Sequence, residues 1–144
     1  MSVYVLDANI VSYYLKGDKQ VAENIERAVS AGDEVLIDPI AYYEVRRGLL
    51  AIGSKKRMAK FEEFCDMFAV GDLDNDILDT AADIYVELRR IGRLPSDADV
   101  LIAAFCKSRG LTLVTNNVKH FDSIASLSYV DWTVAQPSQN ADLF

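Results

Sequence analysis

Short apolar runs alternate with amphipathic stretches along this chain, and the alternation predicts strands separated by helices. Runs rich in β-branched or aromatic residues predict strands at 3–6, 34–37, 111–115 and 128–132, with a further short one near 68–70. Apolar residues at helical spacing predict helices at 19–31, 39–53, 54–68, 74–91 and 96–109. We also expect a helix that begins near Ile10 with Asn9 as its N-cap, and a turn or short helix at 118–121.

This order of elements predicts an α/β fold. Strands that alternate with helices imply right-handed crossovers, and these produce a mostly parallel central sheet with helices on both faces. The helix at 96–109 is apolar almost all round, so we expect it to be buried. In the helix at 74–91 we expect Leu78 and Tyr85 to face inward with the other apolar residues.

Polar residues stand where predicted strands end. Asp7 directly follows the first strand, and Thr115, Asn116 and Asn117 close a later one. In parallel α/β folds the reactive crevice lies at the carboxyl ends of the strands. We therefore expect these side chains to meet at one edge of the sheet.

Three further acids are candidates for the same edge, although each has an ordinary structural explanation. Glu44 lies on the helix at 39–53, where pairing with Arg46 or Arg47 would also explain it. Asp97 and Asp99 lie in the first turn of the helix at 96–109, where Ser96 and Asp99 have the spacing of a capping box. Asp7 can likewise be a plain helix cap, so no acid decides the function alone.

Composition narrows the classes of function. The chain has 144 residues, 51% of them hydrophobic, which is enough for one compact domain, with a polar C-terminal tail from about residue 134. A net charge of −7 argues against binding nucleic acid by broad phosphate neutralisation, whereas clustered carboxylates suit a divalent metal. The single histidine, His120, excludes a two-histidine acid–base pair, and we expect it in a surface turn. Cys65 and Cys106 lack zinc-site neighbours and are expected to be buried free thiols.

No apolar run is long enough to cross a bilayer and the N-terminus has no signal-peptide pattern, so we expect a cytoplasmic protein without a membrane anchor.

Four segments in order resemble the motifs of PIN-domain proteins, and most of all those of VapC-type toxins of bacterial toxin–antitoxin pairs. They are VYVLDANI, YYEVRRGL, PSDADVLIAA and LVTNN followed by HF, and they span the chain from Val3 to about Trp132. The resemblance implies a single PIN-like three-layer α/β/α sandwich over residues 1–144. It assigns the family's first three acids to Asp7, Glu44 and Asp99. The family's pair of polar residues at a strand end corresponds to Thr115 and Asn116.

The resemblance implies a metal-dependent endoribonuclease. Mg2+ or Mn2+ would be held by Asp7 and Asp99, with Glu44 binding through water or orienting the nucleophile, and would activate water against an RNA phosphodiester. The family's frequent fourth acid falls on Asn117, an amide. Metal binding would then rely on a single well-held ion, on Asp97 as an additional ligand, or on substrate phosphate to complete a second site. Arg93 is the candidate RNA contact.

The same resemblance implies a VapB-like antitoxin as partner, a homodimer formed through the early helices, and a structured RNA such as tRNA as substrate. The main alternative is a catalytically degenerate PIN scaffold that acts as a protein-binding module. A phosphatase of the haloacid dehalogenase type shares only the strand-end Asp7, because its second loop aspartate is Asn9 here.

Overall fold

A computed structural model describes residues 1–137, and within them the sheet is entirely parallel. The strands are ordered β2-β1-β3-β4, which confirms the predicted parallel sheet. Their bounds are β1 Val3–Leu6, β2 Glu34–Ile37, β3 Thr112–Val114 and β4 Ser128–Val130. The segment near 68–70 forms only a single parallel bridge, between Val70 and Ile37. The end of the predicted polar tail, residues 138–144, lies outside the described residues.

The helices occur where the hydrophobic pattern predicts them, with one shifted start. They are α1 Ala8–Leu15, α2 Lys19–Ser30, α3 Pro39–Ile52, α4 Lys55–Phe68, α5 Asn75–Arg90, α6 Asp97–Arg109 and α7 Val118–Phe121. The prediction that Asn9 caps the first helix was wrong. Asp7 has extended backbone angles and its Oδ1 accepts the Ile10 N–H at 3.1 Å, so α1 begins directly after the strand.

Two apolar layers cover the two faces of the sheet, which gives the predicted α/β/α sandwich. Along β1, Val5 packs with α5 and α6 on one face, and Leu6 packs with α1, α2 and α4 on the other. The expected burial of α6 is confirmed, since six of its residues from Val100 to Cys106 are buried. Cys106 is buried and Cys65 only partly so, and both are free thiols.

The prediction that Leu78 and Tyr85 face inward was wrong, since they are 47% and 36% exposed. The buried stripe of α5 is narrow because this helix packs chiefly against α6. No helix in residues 1–137 has the length and apolar character that a bilayer crossing requires.

Candidate active site

The carboxyl edge of the sheet carries a row of three buried polar residues. Leu6 pairs with Ile37 on one side and with Val114 on the other, so the residues that follow them lie side by side. Those residues are Asp7, Asp38 and Thr115, which are 4%, 0% and 0% exposed. Leu6 and Ile37 face the layer opposite α6, so Asp7 and Asp38, which follow them, face the α6 side of the sheet. Burial raises the pKa of Cys106 on α6, and the charges of Asp38 and Asp7 raise it further.

Asp7 is held firmly at the centre of this row. Its N–H donates to the Val114 carbonyl at 3.1 Å, and its carboxylate accepts the Ile10 N–H and a hydrogen bond from the Thr115 side chain. Burial raises the pKa of Asp7 to about 6, against the lowering effect of these hydrogen bonds. The negative charges of Glu44 and Asp99 raise it further, so both carboxylates lie near Asp7.

Glu44 reaches this edge from the second turn of α3. Its side chain is 26% exposed, and its Oε2 lies 3.9 Å from Nη2 of Arg47, so the alternative of a helical ion pair is also realised. Burial raises the pKa of Glu44, the Arg47 charge lowers it and the Asp99 charge raises it again. Glu44 therefore has acidic neighbours in Asp7 and Asp99 as well as a basic one.

Asp99 arrives at the N-terminus of α6. The Ser96 hydroxyl accepts the Asp99 N–H at 3.1 Å, so the predicted cap is present at the backbone. The Asp99 carboxylate has a different partner: its Oδ2 lies 3.0 Å from Nδ1 of His120 on α7. His120 is exposed, as expected, but it is a direct neighbour of a candidate acid.

The structure thus brings Asp7, Glu44 and Asp99 from three distant segments close enough for their charges to affect the pKa values of Asp7 and Glu44. In residues 1–137, however, no three His, Cys, Asp or Glu side chains are already arranged as a metal site. Each carboxylate also has another partner: Asp7 has the Ile10 N–H, Glu44 has Arg47 and Asp99 has His120. The donor set itself fits a hard cation, since all the candidate ligands are carboxylate oxygens.

Of the three supporting residues predicted after β3, Thr115 lies beside Asp7. Asn116 donates to the Tyr13 hydroxyl at 3.1 Å and accepts from Asn9 at 3.3 Å, so it ties β3 to α1. The Asn117 N–H donates to Thr115 Oγ1 at 3.0 Å.

Two further predicted residues lie at the rim. Asp97 is exposed on the first turn of α6. Arg93 donates to the Lys119 carbonyl at 3.1 Å and lies 3.8 Å from Asp122, so it ties the linker before α6 to α7. A cavity of about 260 Å³ beside Asp99 is lined by Arg93 and His120 among others.

Asp38 is a buried acid beside Asp7 that the sequence motifs did not single out. It caps α3, with Oδ1 accepting the Ile40 N–H at 2.8 Å, and burial raises its pKa to about 8, with the charges of Asp7 and Glu44 adding to the shift. The signal was present, because VLIDPI repeats the arrangement of VYVLDANI: an apolar strand, an aspartate and a helix start.

Comparison with known proteins places the chain in a family. The PIN domain matches residues 4–127. The chain is 30% identical over 134 residues to the tRNA(fMet)-specific endonuclease VapC of Shigella flexneri, which covers 92% of this chain and 100% of that protein. It is 29% identical to the ribonuclease VapC2 of Haemophilus influenzae, over 92% of this chain and 99% of that one.

A solved structure with the same fold is DNA-bound VapBC from Salmonella typhimurium. It superposes with a TM-score of 0.82 at 28% identity, and the match covers 92% of this chain and 99% of that chain. The chain therefore belongs to the PIN-domain family, and within that family to the VapC group.

Proposed function

We propose that this chain is a metal-dependent endoribonuclease that hydrolyses RNA phosphodiester bonds as the toxin of a toxin–antitoxin pair. The observation that carries the proposal is the electrostatic contact of Asp7, Glu44 and Asp99 at the carboxyl edge of a PIN fold. PIN-domain ribonucleases generally depend on a divalent metal ion. For this chain we propose Mg2+ or Mn2+, because both favour carboxylate oxygens.

A bound divalent cation would supply a lowered pKa for water and charge neutralisation at the scissile phosphate. Asp7 and Asp99 would hold the cation, and Glu44 would bind through water or orient the attacking water. Thr115 holds the Asp7 carboxylate through its hydrogen bond, which limits the rotation of this ligand. We propose that Asn117, three residues after β3, donates a hydrogen bond to the phosphate.

The rim of the site offers a way to hold RNA in spite of the acidic total charge. The cavity beside Asp99 has Arg93, Lys119 and His120 in its lining, so local basic groups flank the acids. Phosphate contacts of this kind position a strand without reading its sequence. We propose that Arg93 contacts the RNA backbone there, in addition to its contacts with α7.

The names of the relatives suggest the wider context. The Shigella protein is named a tRNA(fMet)-specific endonuclease, and the Salmonella structure is a VapBC complex. We propose a tRNA as substrate and a VapB-like antitoxin as partner. We also propose a homodimer that forms through the early helices. Because the proposed substrate is a tRNA, we propose that the protein acts in the cytoplasm.

The test is incubation of the purified protein with total cellular RNA and with isolated tRNA, in Mg2+, in Mn2+ and in chelator. Asp7→Asn and Asp99→Asn are run beside the wild type. A matched control is Asp18→Asn, because Asp18 caps α2 by accepting the Val21 N–H at 2.9 Å, as Asp7 caps α1. Asp18 thus shares the structural role of Asp7.

We expect cleavage in either metal by the wild type and by Asp18→Asn, and a loss of at least about 100-fold in the other two variants, because each removes a proposed ligand. Cleavage that persists in chelator or in Asp7→Asn would refute the mechanism. A folded wild type that cleaves neither RNA in either metal would support the non-catalytic scaffold instead.

A further inference from the structure

We propose that Asp38 is a fourth acid of this centre and strengthens its binding of a divalent cation. The inference rests on the proposed function, because it assumes that Asp7, Glu44 and Asp99 take a cation. Asp38 is not part of the sequence motifs. Its other role in the structure is to cap α3.

The position of Asp38 is fixed by the sheet. Its N–H donates to the Leu6 carbonyl at 3.2 Å, and the pairing of Leu6 with Ile37 sets Asp38 beside Asp7 on the neighbouring strand. Side chains that are level on adjacent parallel strands project to the same face. Asp38 therefore faces the same side as Asp7, towards the layer that contains α6.

One oxygen of Asp38 has no partner. Its Oδ1 accepts the Ile40 N–H, whereas Oδ2 is buried without a hydrogen-bond donor among the described residues. A helix cap uses only one carboxylate oxygen, so capping leaves Oδ2 of Asp38 without a role. A buried oxygen without a donor is costly, and it points to a missing positive partner.

The surroundings of Asp38 indicate what that partner is. The charges of Asp7 and Glu44 both act on its carboxyl group, so it belongs to the same patch of negative potential. A cation between these acids would offset their repulsion and stabilise the ionised form of Asp38, whether Oδ2 ligates it directly or acts from behind Asp7. Beyond Thr115, on the β3 side of the row, Asn117 is neutral, whereas Asp38 adds a carboxyl group on the β2 side.

The experiment measures Mn2+ binding by calorimetry, and Mn2+-induced stabilisation by thermal unfolding, neither of which requires RNA. The proteins are the wild type, Asp38→Asn, Asp38→Ser and the control Asp18→Asn. Both Asp38 variants keep an oxygen that can cap α3 but lose the charge. We expect the Mn2+ dissociation constant to rise about 10- to 100-fold in both and to stay unchanged in the control.

The outcomes separate this inference from the proposed function. Wild-type Mn2+ affinity in a folded Asp38→Asn or Asp38→Ser protein would overturn the role of Asp38 while leaving the three-acid centre intact. A wild type that binds no Mn2+ would overturn both. Equal weakening in Asp18→Asn would show that replacing any helix-capping aspartate weakens binding, and would also refute the proposal.

Discussion

The buried carboxyl group of Asp38 predicts an unusual pH dependence of stability when divalent metal is removed. Its pKa lies at about 8 in the folded protein, against 3.8 for an unperturbed aspartate, and burial is the main cause. The folded state therefore favours the protonated group. Its stabilising contribution is complete below the unfolded pKa and is lost as pH rises towards the folded pKa.

The size of the effect follows from proton counting. From about pH 5 to about pH 7 Asp38 keeps its proton when folded and loses it on unfolding, so each pH unit lowers the free energy of unfolding by about 1.4 kcal/mol. Asp38→Asn is neutral in both states and lacks this contribution. Between these two pH values the free energy of unfolding of the variant should rise by about 3 kcal/mol relative to that of the wild type. Asp7, whose pKa is also raised, contributes in both proteins and largely cancels.

The assay is urea unfolding of wild type and Asp38→Asn at several pH values, in chelator and at constant ionic strength. We expect the wild-type free energy of unfolding to fall more steeply with pH, with a slope difference near 1.4 kcal/mol per pH unit. Saturating Mn2+ should reduce the difference, because a cation offsets the buried charge. Parallel pH profiles in chelator would refute the argument that Asp38 is buried in its neutral form.

Three other substitutions test single contacts. His120→Ala removes the partner 3.0 Å from the Asp99 carboxylate, and should raise the Mn2+ concentration for half-maximal RNA cleavage about 10-fold, whereas His120→Asn should restore part of the loss. Equal behaviour of the two variants and the wild type would mean that the contact does not position Asp99. Thr115→Val removes the hydrogen bond that lowers the pKa of Asp7, so the acid limb of the pH–rate profile should move to higher pH, while Thr115→Ser should leave it unmoved. Asn24→Ala deletes two hydrogen bonds to carbonyls of the C-terminal segment, at 2.9 and 3.0 Å, and should lower the free energy of unfolding by about 1–3 kcal/mol without changing Mn2+ affinity.

The fold could be predicted largely from local patterns. Strand and helix positions follow from apolar spacing and from caps such as Ser54 and Ser96. The errors came from information that is not local. Leu78 and Tyr85 fit the helical stripe of α5, but the width of the stripe that is buried depends on which neighbours pack there. The start of α1 shifted because Asp7 ends a strand and caps a helix at once.

The site was harder to predict than the fold. The motifs indicate Asp7, Glu44 and Asp99, and the structure places their charges within reach of one another. Asp38 could not be predicted because its position beside Asp7 depends on strand order. The sequence does not show that β2 pairs with β1, and only this pairing brings the end of β2 next to Asp7. The contact of His120 with Asp99 likewise depends on how α7 packs against α6.

The arrangement of helix starts explains how the fold tolerates this cluster of acids. α1, α3 and α6 all begin at the carboxyl edge, and their first residues or caps include Asp7, Asp38 and Asp99. Helix N-termini stabilise negative charge, but the raised pKa values of Asp7 and Asp38 show that burial and mutual repulsion exceed this benefit. Asp7 and Asp38 therefore oppose folding at neutral pH unless a cation is bound. Removing the charge of either residue should stabilise the metal-free protein and weaken metal binding together, a combination that a purely structural role for these residues does not predict.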